Sequence, residues 1–147
     1  MTDAHSFVKE SNAIDGIHRD PTDAEMAEYF RFMSLEGVGI KDMQKFVSVY
    51  RQNALLREVA GLSVWIGSYR QPSGGAAIKK QLIDLLRRAE RTRQSAFETH
   101  KAYETLHPFT DGNGRSGRML WRWQMKDIKL GFLHSWYYQT LEYGRAP

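Results

Sequence analysis

"HPFTDGNGRSGRML", residues 107–120, decides how this chain is read. It sets an imidazole and a carboxylate before a glycine-rich turn, and two guanidinium groups after it. Pro108 disfavours helical geometry at His107, so a helix leading into the stretch is expected to stop there. Gly112 and Gly114 admit torsions closed to other residues and let the backbone approach a ligand closely. A helix beginning after them leaves unpaired N–H groups pointing outward, a site for phosphate oxygens. Arg115 and Arg118 stand at i, i+3 on that helix, so both can lean over one anion. Asp111 beside such a site would repel a nucleotide unless Mg²⁺ bridged the two. A histidine at position 107 can take a proton from an incoming hydroxyl near neutral pH. Together these groups suit attack on a metal-bound nucleotide phosphate, with charge stabilised by fixed donors.

Two other glycine motifs fit less well. "GNGRSG" matches the dinucleotide pattern G-x-G-x-x-G, but that loop needs a strand before it, and here a helical pattern precedes it. A Walker A loop ending in G-K-[ST] is absent.

Working outward, the patterning is helical. "PTDAEMAEYFRFM" carries Thr22 and Glu25 at capping-box spacing, then Met26, Tyr29, Phe30 and Met33 as one apolar face. Met43, Phe46, Val47 and Tyr50 repeat that spacing. From Ile78 a long pattern runs through Leu82, Leu85, Leu86 and Ala89 to His100, Tyr103 and Leu106, with a break expected near Arg93. "RSGRMLWRWQM" reads as helix, and "SWYYQTLEYGR" as a last one. Between them, "AGLSVWIGSYRQPSGG" alternates apolar residues among glycines and a proline, which reads as a short hairpin. The expectation is one mainly α domain over residues 1–147: a helical bundle with a small β-hairpin.

"HPFTDGNGRSGR" resembles the Fic (filamentation induced by cAMP) signature H-x-F-x-[DE]-G-N-G-R-x-x-R at all of its specified positions. "VWIG", residues 64–67, is similar to the strand of the Fic flap. The resemblance implies the Fic fold, with a hairpin flap over the active site at residues 61–75 and the signature loop and helix start at 107–118. It implies protein adenylyltransfer: His107 as general base for a Ser, Thr or Tyr hydroxyl of a target protein, and Asp111 holding Mg²⁺ on ATP. Gly112, Asn113 and Gly114 would bind phosphates together with Arg115 and Arg118, and Phe109 would anchor the loop. Val64, Trp65, Ile66 and Gly67 would hold the target by strand addition. ATP and a target protein are the implied partners, with self-modification and a homodimer also within the family's habits.

"SNAIDG", Ser11 to Gly16, is similar to the family's inhibitory motif [ST]-x-x-x-E-[GN], with Asp15 in place of the glutamate. The resemblance implies an inhibitory helix within residues 1–20, whose acid pairs with Arg118. On a helix Ser11 and Asp15 would share a face. A Doc-type kinase, with lysine at the second motif glycine, is disfavoured by Gly114. Removal of AMP, another nucleotide donor, and a silent nucleotide-binding module stay open.

Composition narrows the remaining classes. The chain has 147 residues, 41% hydrophobic and 26% charged, as globular domains do. Zero cysteines exclude disulfides, thiolate catalysis and cysteine-bound zinc, and fit a reducing compartment. No basic region followed by an apolar run opens the sequence, so no signal peptide and no membrane span are expected, and a cytoplasmic site of action is. Delivery into another cell's cytosol would meet the same conditions. The net charge of +4 favours an acidic ligand. Arg87, Arg88, Arg91 and Arg93 are interrupted by Glu90 and lack interleaved aromatics, so a solvated helix is expected rather than specific nucleic-acid binding. Arg122 is expected at the surface, His100 as a partly buried histidine, and Trp121 and Trp123 in the core.

Overall fold

Helix ends fall where the side chains that cap them stand. The hydroxyl oxygen Oγ1 of Thr22 accepts from the Glu25 N–H at 3.1 Å, and Glu25 Oε1 accepts from the Thr22 N–H at 2.9 Å. This reciprocal pair starts a helix at Asp23. Ser95 does the same one-sidedly further on, its Oγ accepting from the Glu98 N–H at 3.1 Å. The computed structural model describes residues 4–59, 65–66, 69–70, 73–90 and 95–126. Among these it has helices α1 (Ala4–Ile14), α2 (Asp23–Met33), α3 (Ile40–Tyr50), α4 (Ala76–Glu90), α5 (Ala96–Leu106) and α6 (Asn113–Gln124). The strands β1 (Trp65–Ile66) and β2 (Tyr69–Arg70) pair antiparallel, Trp65 opposite Arg70 and Ile66 opposite Tyr69.

The expected break in the long helical run falls between Glu90 and Ser95; Arg93 itself lies outside the described residues. So do Val64 and Gly67 of the expected flap and the whole of "SWYYQTLEYGR".

The bundle is organised around α6, which packs against α5, α3, α2 and α1. Its sides are buried all round, from Met119 and Leu120 to Trp121 and Trp123. Trp123 Nε1–H reaches the Leu35 carbonyl at 2.9 Å, so the indole N–H is satisfied as the ring packs.

Two expectations of burial are corrected. The buried face of α2 is Glu25, Glu28, Tyr29 and Phe32, while Phe30 is exposed. That face has helical spacing too, but two of its members are glutamates. Their charge is tolerated because Arg19, Asn12 and the Thr22 N–H bond Glu25, and Arg31 bonds Glu28. Burial works against the charge of Glu25, yet those bonds hold its carboxyl below the usual range. Arg122 is not a surface residue. It is buried and donates Nη1 to the carbonyls of Met125 and Lys126 at 3.0 and 3.1 Å, capping the end of α6.

Candidate active site

The chain between α5 and α6 is held from several directions. Helix α5 ends at Leu106, one residue before the His107–Pro108 step. His107 takes the left-handed conformation, φ 51° and ψ 62°, and its N–H still reaches the Tyr103 carbonyl at 2.9 Å. Such a conformation in a non-glycine residue costs roughly 1–3 kcal/mol and persists only where neighbours fix it. Phe109 is buried in the core. Its N–H donates to Asn113 Oδ1 at 2.9 Å and its carbonyl accepts from Asn113 Nδ2 at 2.7 Å, so the asparagine side chain ties the loop shut. Leu56 bridges to Phe109, and Thr110 exchanges bonds with Leu55: its N–H to the Leu55 carbonyl at 2.8 Å, its Oγ1 from the Leu55 N–H at 2.9 Å.

Gly112, at φ 77°, turns the chain into α6. A Cβ there would also stand 3.2 Å from Val47 Cγ1, so both torsion and space favour glycine. The N–H groups of Asn113, Gly114 and Arg115 open the helix and have no carbonyl four residues back within it. Their partial positive charge is where an anion is stabilised. Asn113 contributes this N–H to such a site while its side chain serves the loop.

Arg115 and Arg118 are both buried beside this helix start. The Arg115 guanidinium lies 4.6 Å from the centre of the Tyr50 ring, a cation–π contact. Burial pulls its pKa below the ordinary arginine value, and Asp15 pulls the other way. Arg118 turns toward α1: Nε donates to Ser11 Oγ at 2.8 Å, and Nη2 to the Ser11 carbonyl at 2.9 Å and to Asp15 Oδ2 at 2.5 Å. Asp15 Oδ2 also lies 3.5 Å from Arg115 Nε.

Asp15 stands just past α1, and the turn that places it is specific. The Gly16 N–H bonds the Ala13 carbonyl and the Ile17 N–H bonds the Asn12 carbonyl, each at 3.0 Å, with Gly16 left-handed at φ 83°. This is a Schellman ending with Asp15 at the C-cap. A Cβ on Gly114 would sit 3.2 Å from Asp15 Oδ1 and 3.1 Å from Arg118 Nη1. The Asp15 carboxylate thus lies over the first turn of α6.

A sequence profile of the Fic/DOC family matches residues 38–125, more than half of the chain. The chain belongs to the Fic/DOC family. It is also similar to the solved structure of a Fic family protein from Desulfovibrio desulfuricans G20, with a TM-score of 0.59 and 21% identity. That likeness covers 93% of this chain and 49% of the other, so the chain spans about half that protein's length and shares its fold. No functionally curated protein matches the sequence.

Asn113, Arg115 and Arg118 of the signature therefore stand at one helix start, with Ser11 of α1 and Asp15, just past it, brought against Arg118. Asp111 takes Arg51 as its ion-pair partner. Its carboxylate is 59% exposed, accepts from the Gly112 N–H at 2.7 Å, and lies 3.2 Å from Arg51 Nε. An exposed carboxylate at the rim of an anion site fits Mg²⁺ held mainly by phosphates, which needs only one or two protein carboxylates. Among the described residues no three side chains of the metal-binding types converge into a closed cage. The side chains of Trp65 and Ile66 lie outside what is described.

Three contributors were not legible in the sequence. Tyr50 counted only as part of an apolar face, Arg51 closes α3 without a motif, and Arg57 sits in the unpatterned "NALLREV". Their roles come from contacts across the bundle, which spacing does not encode.

Proposed function

We propose that this Fic domain transfers AMP from Mg·ATP to a hydroxyl of a protein and is restrained by its own α1. The observation that carries the reading is the helix start of α6 with Arg115 and Arg118 beside it and the Asp15 carboxylate already seated on both arginines. His107 takes the proton of the attacking Ser, Thr or Tyr hydroxyl. The hydroxyl oxygen bonds to the α-phosphorus, the bond to the bridging oxygen breaks, and pyrophosphate leaves. The N–H groups of Asn113, Gly114 and Arg115 hold phosphate oxygens, and Arg115 and Arg118 balance their charge. Asp111 would hold Mg²⁺, which when bound neutralises charge on the phosphates. Residues 64–67 would present a sheet edge to the target segment.

Asp15 restrains this by holding Arg118 before the terminal phosphate can reach it. The shorter acid still reaches because the Schellman turn lays it over Gly114.

Intact mass after incubation with Mg·ATP, with ATP binding by calorimetry alongside, tests the proposal. One added AMP unit is expected, more in Asp15→Gly than in wild type and none in His107→Ala. A single added phosphate would replace the transfer with a kinase reaction. Neither adduct nor binding would remove the nucleotide reading.

A further inference from the structure

The loop that carries His107 is gripped by one residue that the signature does not contain. Arg57 is completely buried. Its Nη2 donates to the Leu106 carbonyl at 2.8 Å, its Nε to the His107 carbonyl at 2.6 Å, and its main-chain N–H to the Pro108 carbonyl at 2.8 Å. Three consecutive carbonyls, centred on the histidine, are thus engaged by a single residue. Its own carbonyl accepts from the Gly75 N–H at 2.9 Å. The β1–β2 hairpin lies in the chain between Arg57 and Gly75, so that bond closes the root of the hairpin segment.

The grip answers a local need. Among the described residues His107 is the only non-glycine with positive φ. It also precedes a proline, which favours extended torsions rather than left-handed ones. The Tyr103 carbonyl fixes the N–H side of His107, and the planar guanidinium fixes the carbonyl side in a fork that no other side chain reproduces. With both peptide planes held, the direction in which the His107 side chain leaves the backbone is set.

We infer that Arg57 is a positioning residue: by clamping the carbonyls of residues 106–108 while closing the hairpin root, it fixes the His107 imidazole relative to the segment that would receive the target. The inference rests on the reading of His107 as the base. Arg57 touches no reacting atom in it. The anion site on α6 is built from other residues, so phosphate binding and proton removal should separate when Arg57 is changed.

The test compares wild type with Arg57→Lys, which keeps the charge and loses the fork, and with Arg57→Gln should the lysine variant not fold. In the folded variant ATP affinity should stay within about twofold, because the α6 helix start is intact. Single-turnover AMP transfer should fall by about tenfold or more, because a shift of about 1 Å at the base costs that much. Its pH profile should move on the limb reporting the histidine. In nitrogen-15 spectra the His107 imidazole signals should shift while those of His5 and His18 stay in place. Parallel losses of ATP affinity, transfer and melting temperature, unmoved His107 signals, or failure of both variants to fold would each reduce Arg57 to a stabilising residue and overturn the inference. Wild-type and Asp15→Gly proteins that both bind ATP and transfer nothing would instead remove the proposed function, leaving the imidazole spectra to decide the positioning.

Discussion

A carboxylate at the C-terminal end of a helix is ordinarily out of place, because it faces the negative end of the helix dipole. Asp15 is there because two other charges outweigh that one. Arg118 pairs with it while also capping the Ser11 carbonyl, and the positive end of α6 lies underneath. Removing the charge while keeping the shape should then have two opposite effects. Asp15→Asn leaves two buried guanidinium groups less well balanced, and a broken buried pair is costly. Asp15 itself is about a third exposed, 34%, which moderates the loss to about 1–2 kcal/mol. The same change opens the arginines to an incoming anion. Melting followed by fluorescence should show the variant less stable than wild type without nucleotide, and the gap closing as Mg·ATP is added. A gap unaffected by ATP would mean that Asp15 and the nucleotide do not share Arg118.

At the scale of elements, the ends of the helices were more legible than their faces. Thr22 with Glu25, and Pro108 after His107, each acts on its nearest neighbours, so spacing alone sufficed for α2's start and α5's end. The inner face of α2 was misread because hydrophobicity is a proxy for burial, and Glu25 and Glu28 are buried by virtue of partners 3 to 13 residues away. The signature loop was legible as chemistry, whereas the residues that hold it, Leu55 to Arg57, meet it only through the fold. Gly16 shows how an element ending can carry function. It occupies φ 83° with open space around its Cα, so Gly16→Ala meets no clash and bears only the torsional cost. That cost is about 1 kcal/mol. The variant should melt lower by roughly 2–4 °C. It should also weaken the seating of Asp15, because the turn that places it no longer closes as well. A melting temperature equal to wild type would mean that the turn is not what sets the end of α1.

For the molecule as a whole, the central place of α6 ties stability to the site. His100, from α5, is 2% exposed and sits against α6, with Nδ1–H donating to the Gly117 carbonyl at 3.1 Å. Burial pushes its pKa down to about 4, with the nearby Arg118 charge adding to the shift and the Gly117 bond opposing it. The neutral imidazole is therefore the folded form, while in the unfolded chain the same group takes a proton near 6.5. Below that pH the unfolded state binds the extra proton, so stability falls as pH drops from 6.5 toward 4 and levels off beneath. The full difference is on the order of 3 kcal/mol. Glu104, whose Oε1 is 3.9 Å from His100 Nε2, would soften it by meeting the imidazolium once formed. Urea unfolding from pH 7.5 to pH 4.5 should show the wild-type midpoint falling through this window. His100→Gln, neutral and still able to donate to Gly117, should give a flatter curve across the same range. Parallel curves would place the acid sensitivity of this window at groups other than His100; the buried Glu25, whose carboxyl is held below its usual 4.5, acts only at pH below that value.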